Sequence, residues 1–242
     1  MAGTTGEGNL LELKEKLELF QYVSSKYYPE LLIILNVGTA STIETINLIK
    51  KIEMSQIQCD AYMVVIPYYV LASFNGIEKH YLKISEVSSK PIIIYDIPKR
   101  TGVKLKKEEL LFEITNKKQR KEYEKILNMV KKVANKLEKV IGIKEASDDL
   151  ELIKYLIDES NKNVYIGRDE DYFWGFKHGA DGIISVMSNE NITLLNSPND
   201  HCEEIDAIIK YLKKYPNPYG IKKHMNENNF KVGMPRPPLD EA

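Results

Sequence analysis

The sequence predicts a parallel α/β fold. Six short apolar runs are bounded by Gly, Pro or Asp, and amphipathic stretches of helical period separate them. The runs are continuous, which suits strands covered on both faces. A repeated βα rhythm of this kind builds a parallel sheet.

Each element follows from its own residues. Leu10–Tyr28 carries Leu10, Leu13, Leu17 and Phe20 on one side of a helix. Leu31–Val37 is the first apolar run. The helix over Ser41–Ile57 opens with a cap, Ser41 or Thr42, ahead of Glu44. Ala61–Pro67 is the second run, Asn75–Ser88 the next helix and Pro91–Ile97 the third run. Residues 104–139 hold twelve Lys or Arg against six Glu. Tyr123, Ile126, Leu127, Val130, Val133, Ala134 and Leu137 recur there at helical spacing, so a long amphipathic crossover helix with a solvated basic face is expected. Val140–Ile143 is the fourth run, Leu150–Glu159 a helix, and Val164–Gly167 and Gly182–Val186 are the last two runs. In the tail, 217–242, Asn217-Pro218 opens a short helix and Pro235-Arg236-Pro237-Pro238 forms an extended end.

Composition narrows the class. The chain is 43% hydrophobic and 29% charged, as in ordinary soluble globular proteins. Its length accommodates a catalytic domain, 1–189, and a helical tail, 190–242. A net charge of −1 argues against nucleic acid or a membrane as a general partner. Cys59 and Cys202 are too isolated for a disulfide framework or a zinc site, which points to a reducing compartment, the cytoplasm. No apolar stretch reaches the ~20 residues that span a bilayer. The opening Met1–Glu7 segment has no signal-peptide pattern. No metal site is expected.

The chemistry centres on Lys144, in the run Val140-Ile141-Gly142-Ile143-Lys144-Glu145. An ammonium taken out of water costs several kcal/mol unless it is paired or deprotonated. Either Lys144 ends the strand and snorkels to water, or burial lowers its pKa and leaves a nucleophilic amine able to form a Schiff base. In a parallel βα barrel, reactive groups gather at the C-terminal strand ends. Tyr68-Tyr69, Tyr95-Asp96-Ile97-Pro98-Lys99-Arg100, Lys144 and Gly167-Arg168-Asp169-Glu170 all stand at such ends. The Thr4-Thr5-Gly6-Glu7 turn opens the first helix, where free N–H groups could hold a carboxylate. Singly, each has a bland alternative in packing, capping or surface charge. Together they place a lysine, two tyrosines, a threonine and an arginine on one face.

Several of these segments resemble one family. Gly3-Thr4-Thr5-Gly6-Glu7, Pro67-Tyr68-Tyr69, Tyr95–Gly102, Gly142–Ser147 and Asp181–Val186 are similar, in order, to the dihydrodipicolinate synthase family of pyruvate-dependent class I aldolases. The resemblance implies a TIM (β/α)8-barrel type fold. It also implies a lyase that condenses pyruvate with L-aspartate 4-semialdehyde in lysine and diaminopimelate biosynthesis. No cofactor is implied, since the covalent imine forms with the substrate itself. Lys144 would carry the Schiff base and Tyr95 would shuttle protons. Thr4 would link Tyr95 to Tyr69, the latter supplied across the interface of a homodimer or homotetramer. Thr5 would hold the pyruvate carboxylate and Arg100 the carboxylate of the aldehyde, with Gly167 and Ile184 lining the substrate site.

Some features depart from that pattern. The resemblance begins where the family's second strand ends, so an incomplete barrel of about six strands is expected, with a shortened helical tail. Lys99 and Asp96 stand where the family carries a small residue and Asn. Gly167-Arg168-Asp169-Glu170 and Glu7-Gly8-Asn9-Leu10-Leu11 look more like the N-acetylneuraminate lyase branch, in which an acidic pair meets sugar hydroxyls. The alternative readings are therefore an aldolase acting on N-acetylneuraminate or a 2-keto-3-deoxy sugar acid, and a truncated, inactive remnant.

Overall fold

The computed structural model describes residues 1–102 and 137–240. The order is α1 (Leu13–Tyr27), β1 (Ile34–Asn36), α2 (Thr42–Met54), β2 (Ala61–Val65), α3 (Phe74–Val87), β3 (Ile92–Asp96) and the single turn α4 (Pro98–Thr101). After the crossover come β4 (Val140–Glu145), α5 (Leu150–Glu159), β5 (Asn163–Ile166), α6 (Tyr172–Lys177) and β6 (Gly182–Ile183). The short α7 (Thr193–Asn196), then α8 (Cys202–Leu212) and α9 (Tyr219–Glu227), form the tail. The long helix expected over 104–139 lies almost wholly outside the described residues.

The strands form one open parallel sheet in the order β1-β2-β3-β4-β5-β6. Its two faces are unlike. Tyr62, Val64, Ile92, Ile94 and Ile143 pack with Phe20 of α1, Ile49 of α2, Ile84 of α3 and Ile153 of α5 in one continuous core. The opposite face holds a small cluster of Met63, Val65, Tyr95 and Ala146, bordered by Ile34, Tyr68, Ile97 and Ile184. Alternation along a strand explains the split, since successive side chains point to opposite faces. Helices on one face only are what a barrel segment needs, with the bare face turned inward.

Capping sets the helix starts. Ser41, Ser73 and Asp149 accept from the backbone N–H three residues on, of Glu44, Gly76 and Leu152. The first helix begins at Leu13 instead of Leu10, because residues 3–10 close a turn through Glu7 N–H to Thr4 O and Gly8 N–H to Gly3 O. The first strand is shorter than its apolar run. Leu31 and Leu32 are 58% and 85% exposed and precede the ladder. Beside β1, the Met1 amino group donates to Ile34 O and Asn36 N–H donates to Met1 O, so the first residue pairs with that edge. β6 stops at Ile183 because the amides of Val186 and Met187 turn to the Asp169 carboxylate. The tail ends in a turn, with Leu239 N–H donating to Arg236 O, where an extended end was expected.

Ile94 is 2% exposed between β2 and β4. Ile94→Ala should cost about 2–5 kcal/mol through lost burial and a residual cavity. Chemical denaturation monitored by circular dichroism should show the midpoint fall with an unchanged slope; a loss under about 1 kcal/mol would mean this layer repacks freely.

Candidate active site

Lys144 lies within β4, and the strand continues to Glu145, two residues beyond the apolar run. Its neighbours in register are Tyr95 on β3 and Tyr165 on β5. Lys144 is 9% exposed, and its Nζ sits 4.2 Å from the Tyr95 ring centroid. A ring face attracts the ammonium but accepts no full hydrogen bond from it. Burial therefore dominates and lowers the lysine pKa from 10.5 to about 8, with Asp169 acting in the opposite direction. The snorkelling alternative fails at this geometry.

Tyr95 is also buried, and burial raises its phenol pKa. A hydrogen bond with Thr4 and the nearby charge of Arg100 both oppose that rise. Thr4 and Lys144 thus both lie against Tyr95. Thr5 lies in the same turn, and its Oγ1 accepts from Asn217 Nδ2 at 3.1 Å. Arg100 in α4 donates through Nη2 to Asn217 O at 3.3 Å. Ile184 borders the inner cluster containing Tyr95 and Ala146. Gly167 donates to Glu145 O at 2.6 Å, and a Cβ there would meet Ala146 Cβ at 2.6 Å, so only glycine fits this crossing. Tyr69 stands apart. It is 89% exposed in a left-handed conformation, φ 71°, on the rim after β2.

Three positions matter more than sequence patterning suggested. Asp169 is 6% exposed and accepts from Val186 N–H and Met187 N–H, tying the β5 end to the β6 end beside Lys144. Asn217 bridges Thr5 and Arg100 from the tail. Glu7 anchors the Thr4–Thr5 turn. It accepts from Arg236 N–H at 2.6 Å and pairs with Lys222 of α9, while Arg236 forks onto Glu15 at 2.6 and 2.7 Å. All three fell within segments that the sequence singled out, but their partners lie too far along the chain for spacing to reveal.

Comparison with known proteins gives a uniform result. The chain matches the Dihydrodipicolinate synthetase family over residues 1–242. It is 30% identical over 253 residues to the 4-hydroxy-tetrahydrodipicolinate synthase of Bacillus subtilis, covering 99% of this chain and 80% of that protein. The corresponding Streptococcus pneumoniae enzyme is 32% identical over 257 residues, covering 100% and 75%. Among solved structures, the Thermotoga maritima dihydrodipicolinate synthase superposes with a TM-score of 0.82 at 27% identity, covering 100% of this chain and 80% of that one. A chloride-inhibited Acinetobacter baumannii synthase complexed with pyruvate gives 0.82 at 27%, covering 99% and 79%.

The lowered pKa of Lys144 is directly measurable. Its neutral amine should appear as pH rises through about 8, well before ordinary lysines lose their protons. Acylation followed by peptide mass spectrometry should therefore show Lys144 labelling rise with a midpoint near that value. A midpoint like that of the surface lysines would contradict the buried environment.

Proposed function

The chain belongs to the dihydrodipicolinate synthetase family, and on that premise we propose that it is a Schiff-base lyase joining pyruvate to L-aspartate 4-semialdehyde to give 4-hydroxy-tetrahydrodipicolinate. The observation that carries this reading is a buried lysine, readily neutral, against a buried tyrosine. The Lys144 amine adds to the ketone carbon of pyruvate, and the hydroxyl of the adduct leaves as water. Tyr95, kept protonated by burial, supplies the proton for that departure. The resulting imine acidifies the pyruvate methyl group. Loss of a methyl proton gives an enamine, which attacks the aldehyde carbon. The amine of the second substrate then displaces Lys144 and closes the ring. No cofactor is needed, because the protonated imine itself accepts the electron pair.

Binding of the two carboxylates divides between Thr5 and Arg100. The Thr5 hydroxyl and the N–H groups of its turn suit the pyruvate carboxylate. Arg100 suits the acidic aldehyde, since a guanidinium matches a carboxylate with two parallel hydrogen bonds. Its link to Asn217 holds it over the same turn. A sugar-acid aldolase is disfavoured by Asp169. Its carboxylate is occupied by the backbone of Val186 and Met187 and buried, so it offers little to a sugar hydroxyl.

Tyr69 supports association between copies. An aromatic side chain 89% exposed, beside Val70 and Leu71 at 55% and 68%, makes an apolar rim. We propose that this rim packs on a second protomer, probing its Thr4 with the Tyr69 hydroxyl, in a homodimer or homotetramer.

Two experiments test these proposals. Borohydride reduction with pyruvate should add a reduced pyruvyl group to Lys144 in the unsubstituted protein and in Arg100→Ala. In the latter, kcat/KM for aspartate semialdehyde should fall by about tenfold to a hundredfold, the equivalent of losing a charge-assisted hydrogen bond of ~1.5–3 kcal/mol. Labelling elsewhere, or parallel loss of both steps, would defeat the assignment. Sedimentation should show a dimer or larger, and Tyr69→Ala should weaken it; an active monomer indifferent to Tyr69 would refute the shared site.

A further inference from the structure

We propose that Asp96 and Glu145 share one proton, and that this carboxyl–carboxylate bond is a positioning pair locking the ends of β3 and β4 beside Tyr95 and Lys144. The two residues are direct partners in the parallel register, one step beyond the Tyr95–Lys144 pair. Alternation turns their side chains to the helix-covered face, away from the substrate. They are 5% and 1% exposed.

Hydrogen bonding leaves room for one answer. Glu145 Oε1 accepts from Ser147 N–H at 2.6 Å. Its Oε2 is buried and receives no N–H or hydroxyl donor. The two carboxyl groups are register partners on adjacent strands, and each acts on the other's proton affinity. Two carboxylates side by side inside an apolar layer cannot both ionise, and one proton between them turns repulsion into a strong bond. The groups acting most strongly on the pair are the N–H of Ile97 and the N–H and hydroxyl of Ser147. Tyr81 of α3 lies within the field of Asp96, its hydroxyl already donating to Val64 O. Burial raises both acids, Asp96 to about 6 and Glu145 well above the usual range.

The lock has a consequence for the site. One negative charge remains behind Tyr95, and both acids raise the phenol's pKa, favouring its proton-donating form. That consequence rests on the proposed roles of Tyr95 and Lys144; the shared proton does not.

Infrared spectroscopy of the full chain separates the two. At neutral pH it should show the C=O stretch of a protonated carboxyl, lost in Asp96→Asn and in Glu145→Gln. Absence of that band, or its survival in both variants, overturns the proposal. The lock itself is read by rescue. In Asp96→Asn the amide N–H replaces the shared proton as donor to Glu145, so borohydride trapping of pyruvate on Lys144 should be about tenfold faster than in Asp96→Ala, a difference worth ~1.4 kcal/mol. Equal rates in the two variants would refute the lock. Failure of the unsubstituted protein to trap pyruvate would defeat the proposed reaction while leaving the infrared result decisive.

Discussion

A lysine ammonium held out of water governs this structure. Lys144 sits in the central part of the sheet with strands on both sides, so its side chain cannot reach solvent along an edge. The fall in its pKa from 10.5 to about 8 means that the folded state binds that proton more weakly than the unfolded chain. At ~1.4 kcal/mol per tenfold change in proton affinity, roughly 3 kcal/mol works against the fold at neutral pH. This penalty is relieved as pH rises from about 8 towards the unfolded value. Such a sum is a sizeable part of a net stability of ~5–15 kcal/mol. The apolar layer between sheet and helices offsets it, and so do the Tyr95 ring and the charge of Asp169.

The two faces of the sheet divide these tasks. Large aliphatic side chains fill the helix-covered face and provide the burial that holds the strands in register. The inner face carries only the small cluster around Met63, Val65, Tyr95 and Ala146, with Lys144 beside Tyr95. Gly167 contributes by what it lacks. Its bare Cα lets the β5 end approach Ala146 and Glu145, keeping the ladder intact just past Lys144.

Distant segments orient what the strands present. The Thr4–Thr5 turn has no regular secondary structure of its own and is held through Glu7 by Lys222 and Arg236, and through Thr5 by Asn217. These ties span more than two hundred residues of sequence. Tail and turn are therefore tied together, and the position of Thr4 and Thr5 depends on segments far along the chain. Asp169 does the same at the other side, fixing the β6 end through backbone amides.

Much of this was legible in the chain alone. Six apolar runs and the amphipathic stretches between them determine a parallel sheet with its helices, because a strand buried on both faces and a helix buried on one leave different periodicities. The Ser41 cap was readable for the same local reason. Lys144 announced itself as a charge in an apolar run, and the segments around Thr4, Tyr95 and Arg100 carried the family resemblance. Tertiary structure decided the rest. It alone set where strands stop, since past β6 the amides of Val186 and Met187 turn to Asp169, and β1 begins only after two exposed leucines. It alone turned Asp169 from a candidate substrate ligand into a brace, joined Asn217 to Thr5 and put Asp96 against Glu145. Periodicity records which face a residue shows, but a hydrogen bond between residues far apart depends on where the chain returns, and that is settled by packing.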